Sequence, residues 1–167
     1  MLVTFLRHAQ SEYNEKHILQ GQIDCNLCAA GEAEAREKAK TFDTSVYDIC
    51  YSSPLKRAYN TARIMAPDME ILTDDRLKER ALGEIEGRVS CDETRYMMKH
   101  REACPPGAET PEQVEARIRS FIDYLKEAHP GKRVLVVTHG GIIYALMHSL
   151  GLPPRTIKNL ETWPLEI

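Results

Sequence analysis

Two histidines of the 167-residue chain stand in matching surroundings. His8 follows the run Leu2-Val3-Thr4-Phe5-Leu6-Arg7, and His139 follows Val134-Leu135-Val136-Val137-Thr138. A neutral imidazole, with an ordinary pKa of about 6.5, offers one ring nitrogen as a nucleophile once the other is pinned by a hydrogen-bond acceptor. If the two runs are neighbouring parallel strands, both rings face the crevice beyond the strands' carboxyl ends, where open α/β sheets bind their ligands. Arg7, beside His8, and Arg57, in the first turns of a helix after Ser52-Ser53, add guanidiniums shaped for a bidentate grip on phosphate. Gly140-Gly141 after His139 leaves backbone N–H groups unobstructed at a helix N-terminus, a natural seat for an anion. A histidine alone is more often structural, but the paired strand-end positions argue for a shared site.

The elements that must position these residues alternate along the chain. Leu2–Leu6 and Arg133–Thr138 read as buried strands, the second apolar on both faces as a central parallel strand is. Tyr47–Tyr51 and the shorter Glu70–Thr73 read as two more. Serine at the cap and Pro54 at the first helical position predict a helix running from Ser52-Ser53 towards Met65. Thr110-Pro111-Glu112-Gln113 forms a capping box, and Val114, Ile118, Phe121, Ile122 and Leu125 make one stripe of the helix it opens, which Pro130-Gly131 ends. A further helix runs from about Gly141, with Ile142, Ile143, Leu146, Met147 and Leu150 inward, to a stop at Gly151 and Pro153-Pro154. Strands alternating with helices predict an α/β fold: a three-layer αβα sandwich around a mostly parallel central sheet, in one domain spanning 1–167. The segment at about 88–109 has few periodic apolar residues and reads as a short lid or insertion. Lys158–Ile167 either finishes the sheet or meets a partner.

Composition narrows the partners. Lys and Arg total 22 against 25 Asp and Glu, a net charge of −3, so no basic excess draws the chain to nucleic acid. Any anion must be met by a local cluster. Apolar residues are 43% of the chain, but no run approaches membrane-spanning length, and the N-terminus lacks the basic lead and long apolar stretch of a signal peptide. The expectation is a cytoplasmic protein. Five scattered cysteines suit a reducing compartment, and Cys25-Asn26-Leu27-Cys28 lacks the further ligands of a zinc site. Neither a metal nor a cofactor is called for, and oligomeric state is open.

The chain resembles the histidine phosphatase superfamily, which includes the phosphoglycerate mutases and many small phosphatases. The resemblance is carried by Leu6-Arg7-His8-Ala9-Gln10-Ser11 with Asn14, and by Gln20-Gly21-Gln22-Ile23-Asp24 with Leu27 and Gly31. It continues through Ser52-Ser53-Pro54-Leu55-Lys56-Arg57-Ala58 with Thr61-Ala62, Leu77-Lys78-Glu79-Arg80 with Gly83 and Glu86-Gly87, and Val136-Val137-Thr138-His139-Gly140-Gly141. The order is the family's, and nearly the whole chain is covered. The resemblance implies a phosphoglycerate mutase-like fold with His8 as the nucleophile that becomes phosphorylated. It implies that Arg7, Arg57 and His139 surround the phosphoryl group and that Asn14, Gln20, Gly21 and Gly140 help to bind it. Glu79 would exchange a proton with the leaving group and then with water. By charge alone Asp74, Asp75, Glu84 or Glu86 could take that role; the Leu-Lys-Glu-Arg context selects Glu79. His17, between Asn14 and Gln20, is a further candidate to border the site. Two departures are minor: Ala9 stands where glycine is commonest, and Cys28 stands where Thr or Ser would cap a helix, weakening its start by roughly 1 kcal/mol.

Three functions fit these residues. The first is hydrolysis of a small-molecule phosphomonoester through a phosphohistidine. The second is phosphoglycerate mutase-type transfer, in which the phosphoryl group returns to the sugar acid. The third is a catalytically silent phosphate-binding regulator. Within 88–109 four basic residues (Arg88, Arg95, Lys99, Arg101) meet four acids (Asp92, Glu93, Glu102, Glu109), so no strong anion trap overhangs the site. A short, open lid admits water to the phosphohistidine, which favours hydrolysis.

Overall fold

Alternation decides which way each strand residue faces. In the computed structural model, which describes residues 1–167 apart from the side chain of Lys99, strand β1 (Leu2–Arg7) turns Val3 and Phe5 into one hydrophobic core and Leu6 into the other. Strands β2 (Ile49–Ser52) and β3 (Ile71–Thr73) follow. Strand β4 (Arg133–Thr138) splits in the same way as β1, with Val134 and Val136 on one side and Leu135 and Val137 on the other. All four are fully buried, so the sheet is covered on both faces as its apolar runs require. β5 (Thr162–Glu166) completes a five-stranded sheet of order β3-β2-β4-β1-β5. Every pairing is parallel except that of β5, which runs antiparallel to β1 at the edge. The C-terminal segment thus finishes the sheet.

Six helices accompany these strands: α1 (Glu12–Glu15), α2 (Ala29–Ala39), α3 (Lys56–Met65), α4 (Asp92–Lys99), α5 (Pro111–Ala128) and α6 (Gly140–Ser149). α2 and α3 bury Ala35, Ala58, Ala62 and Met65 against one face, while α5 and α6 bury Ile118, Phe121, Leu125, Ile142 and Leu146 against the other. This is the three-layer αβα sandwich. α5 begins with the expected reciprocal cap, Thr110 accepting from the Gln113 amide and Gln113 from the Thr110 amide.

One helix start differs from expectation and another follows it. α3 opens at Lys56 rather than at Pro54, with no side-chain cap. The serine expected to cap it, Ser53, accepts from the Leu55 amide at 3.3 Å ahead of the helix and also has its hydroxyl 2.8 Å from His139 Nε2, so one side chain serves both the turn and the site. α2 is capped by Cys28 itself, whose Sγ accepts from the Gly31 amide at 3.3 Å. Sulfur is a weak acceptor, which keeps that start weaker than serine would make it.

Between residues 88 and 109 lie α4 and a single 3₁₀ turn, Arg101–Ala103. No described residue of this stretch belongs to either core. Its ends are tied down: Ser90 N–H donates to the His17 carbonyl at 2.8 Å, and Glu109 N–H to the Ala81 carbonyl at 3.0 Å. Val89, Tyr96 and Met98 are exposed. Among the described residues, no helix is long and apolar enough to cross a membrane.

Candidate active site

Register brings the two histidines together. β1 and β4 pair with Arg7 opposite Thr138, and the His8 amide donates to the Thr138 carbonyl at 2.9 Å. The rings beyond these strand ends lie 5.1 Å apart between centroids, tilted by 59°. Ser53, beyond the neighbouring strand β2, donates its amide to Val137 O and so stands in the same row.

The state of His8 follows from its partner. Its Nδ1 lies 2.7 Å from the Ala9 carbonyl; a carbonyl only accepts, so the proton sits on Nδ1 and Nε2 keeps its lone pair. Burial, and then the charges of Arg57 and Arg7, hold the ring well below the usual histidine pKa despite the Ala9 bond. His139 is lowered in the same way, by burial first and then by Arg57, His8 and Arg7. Thr61 Oγ1 accepts from the Ala9 amide, and Asn159 donates its side-chain amide to the His8 carbonyl at 2.8 Å, so the backbone under the nucleophile is held from two sides.

Arg57 reaches this row from α3 and is only 1% exposed. It donates Nη1 to Ile23 O at 2.8 Å and Nη2 to Gly21 O at 2.7 Å. Arg7 donates Nη1 to Ile157 O at 2.6 Å. In neither case is Nε paired. Together with His139 Nδ1, these two atoms are the buried side-chain polar atoms that lack a partner among the described residues. An unpaired buried donor costs about 1–3 kcal/mol, and here all three such atoms belong to one cluster. Ser53 Oγ accepts from the Leu55 amide at 3.3 Å; with its own proton given to Nε2, the neutral His139 ring carries its proton on Nδ1, and all three atoms are then donors that a bound phosphate oxygen would satisfy.

Glu79, in the loop after the 3₁₀ turn Asp75–Leu77, reaches the N-terminus of α6. Its Oε2 accepts from the Gly141 amide at 3.1 Å and its Oε1 from the Arg80 amide at 2.9 Å. Gly141 is required for this: a Cβ there would fall 2.3 Å from Oε1. Gly140 is also close-packed, since a Cβ would lie 3.3 Å from Arg7 Nε. The other four acids are engaged elsewhere or exposed. Asp74 caps a 3₁₀ turn and pairs with Arg76, Asp75 pairs with Lys78, and Glu84 is exposed. Glu86 accepts from the amides of Gln22 and Leu82, behind Gly21.

The remaining residues named from the sequence hold their neighbours. Asn14 Oδ1 accepts from the Ser11 amide in the capping box of α1. Gln20 Oε1 accepts from Ser11 Oγ and Cys25 Sγ. Gly21, at φ +50°, presents its carbonyl to Arg57. His17 is exposed, and no hydrogen bond ties its ring to the site. Three contributors escaped the sequence reading: Ser53 as partner of His139, Asn159 on His8, and Gln22, whose side-chain amide donates to the Glu79 carbonyl at 3.0 Å. Ser53 lies in the Ser-Ser-Pro motif, whose local signal is that of a helix cap; Asn159 sits in a loop with no local signal.

One consequence is testable without substrate. A histidine whose pKa is lowered in the folded state costs nothing above the unfolded value of about 6.5 and destabilises the fold as pH falls below it, because only the unfolded chain takes the proton. We expect the His8 and His139 ring nitrogens to keep neutral-imidazole NMR shifts from about pH 8 down to about pH 6. Urea midpoints should fall as pH drops through about 6.5, and fall less steeply in His8→Asn. Titration of either ring near pH 6.5 would contradict this.

A profile of the histidine phosphatase superfamily (branch 1) matches residues 3–166. The chain is 37% identical to a Hydrogenobacter thermophilus protein provisionally named phosphoserine phosphatase 2, over 93% of this chain and 82% of that one. It is 33% identical to a 2,3-bisphosphoglycerate-dependent phosphoglycerate mutase of a Methylobacterium species, over 97% and 86%. Among solved structures it superposes with a TM-score of 0.90 on a mycobacterial glucosyl-3-phosphoglycerate phosphatase complexed with VO3, at 28% identity and covering 99% of this chain and 92% of that one. The chain belongs to branch 1 of the histidine phosphatase superfamily and is a phosphatase enzyme.

Proposed function

We propose that the protein hydrolyses a small phosphomonoester in two steps through a phosphohistidine on His8. The observation that carries this reading is the cluster of three unpartnered buried donors, Arg7 Nε, Arg57 Nε and His139 Nδ1, around a neutral His8. In the first step the Nε2 lone pair attacks phosphorus, the ester P–O bond breaks, and the departing oxygen takes a proton from Glu79. In the second, Glu79 removes a proton from water as its oxygen attacks phosphorus; the P–N bond breaks and His8 regains its lone pair. The guanidiniums and His139 bear the charge spread over the phosphoryl oxygens, and their fixed positions mean little reorganisation at the moment of transfer.

The make-up of the segment 88–109 favours hydrolysis over retention of the phosphoryl group. Its charges balance, so it offers no strong anion trap, and it is short, with Val89, Tyr96 and Met98 exposed. Excluding water, as a mutase must, needs a tighter cover.

The test is to trap the intermediate. Enzyme mixed with a ³²P-labelled aryl phosphate and quenched in alkali should carry acid-labile label on the peptide containing His8, and the label should chase into inorganic phosphate. Label on another residue, or turnover with no protein-bound phosphate on the millisecond scale, would overturn the proposal.

A further inference from the structure

Arg117, on α5, makes a set of contacts that the chemistry above leaves unused. Guanidinium has five N–H donors in a rigid fork, and all five are engaged. Nε donates to Glu109 Oε1 at 2.8 Å, and Nη2 to Glu109 Oε2 at 2.9 Å and to Glu79 O at 3.1 Å. Nη1 donates to Arg76 O and Lys78 O, each at 2.7 Å. Three of the acceptors are therefore main-chain carbonyls of the short stretch that ends on Glu79. Glu109 extends the grip, since its Oε2 also accepts from the Ala81 amide at 2.8 Å and its carbonyl accepts from Arg80 Nε at 2.8 Å. The backbone is thus held at residues 76, 78, 79 and 81 by one side-chain pair.

We infer that Arg117, paired with Glu109, is a positioning residue that sets the Glu79 carboxylate against the Gly141 amide for proton transfer. Arg117 donates to no group of the phosphoryl site except the Glu79 carbonyl, although its charge is the least of those that lower the His139 ring. Its hydrogen bonds act on the Glu79 backbone, in a segment where 3₁₀ turns and loop supply little rigidity of their own. Proton transfer needs heavy atoms within about 2.6–3.2 Å, so a loose segment loses acid catalysis before it loses phosphate binding. Lysine cannot substitute, because an ammonium has three donors on a flexible stem and cannot span four acceptor groups.

The inference rests on Glu79 being the proton donor, and the experiment separates the two ideas. Phenyl and p-nitrophenyl phosphate are nearly the same shape, but phenolate needs a proton far more than p-nitrophenolate does. In Arg117→Met we expect kcat/KM to fall about 10- to 30-fold for phenyl phosphate and no more than about threefold for p-nitrophenyl phosphate. Arg117→Lys should behave like Arg117→Met, and Glu109→Gln, which keeps shape but loses the charge, should show the same bias more weakly. Equal losses on both substrates in a folded Glu109→Gln or Arg117 variant would mark a merely structural role and overturn the inference. If Glu79→Gln shows the leaving-group bias and the Arg117 and Glu109 variants do not, the positioning role alone fails. If Glu79→Gln shows no bias, the proton-donor reading fails and the positioning role falls with it.

Discussion

Replacing His8 with asparagine should lower kcat for p-nitrophenyl phosphate by roughly 10⁴- to 10⁶-fold, the scale on which loss of a covalent nucleophile is felt when the rest of a site stays intact. Asparagine is the informative choice. Its side-chain N–H can replace Nδ1 as donor to the Ala9 carbonyl, so the buried acceptor keeps its bond, while nothing takes the place of Nε2. Alanine would remove both at once and leave a cavity beside two guanidiniums. Arg7, Arg57 and His139 are untouched, so inorganic phosphate should still bind, measurable by calorimetry. The fold should be no less stable, because His8 is desolvated beside two cations in the native state. Activity above about 1% of wild type would exclude His8 as the nucleophile.

That experiment can be designed from the sequence because the strands that carry the histidines announce themselves. Val134 to Val137 is apolar on both faces and stops at Thr138-His139, and Leu2 to Leu6 stops at Arg7-His8; a parallel sheet buried on both sides leaves few other arrangements. The convergence of the two rings still needed the pairing of β1 with β4, which no local pattern contains. Other elements were faint for physical reasons. β5 carries Pro164 in its middle, which argues against a strand anywhere but at an edge, and an edge is where it lies. α2 buries only Gly31 and Ala35, so it shows almost no apolar stripe. α3 starts two residues after Pro54, and Ser53 ahead of it divides its hydroxyl between the Leu55 amide and His139.

Arg117 shows the same limit most sharply. It sits in a helix with Glu115 and Arg119 as charged neighbours, and charge alone does not distinguish it from the exposed Arg119. One local hint exists: Arg117 stands three residues after Val114 and beside Ile118, on the margin of the buried stripe. A cation at such a margin can turn inward, but its acceptors come from residues 76 to 79 and 109. Those meet only in the folded chain.

Glu79→Gln carries the second large effect, and its form matters more than its size. The first irreversible step governs kcat/KM, and in the proposed scheme that step is phosphorylation of His8 with departure of the alcohol. Loss of the carboxylic proton should therefore lower kcat/KM about 100-fold for phenyl phosphate but under about tenfold for p-nitrophenyl phosphate. Glutamine has a cost of its own. Both Glu79 oxygens accept backbone amides, from Gly141 and Arg80, and an amide side chain can satisfy only one of these and must turn its NH₂ towards the other. A seating fault of that kind burdens both substrates alike, so the ratio between them reports the proton. The second step adds an independent reading. Water attack on the phosphohistidine needs Glu79 as base whatever the alcohol was, so with p-nitrophenyl phosphate the intermediate should accumulate. Stopped-flow traces should then show a burst of nitrophenolate approaching one equivalent of enzyme, followed by slow turnover. A burst with the leaving-group bias requires one carboxylate to serve both halves of the reaction, acid in the first and base in the second. Bias without a burst would assign the water step to another group, and neither would remove Glu79 from the chemistry and leave its two amide bonds as a structural seat.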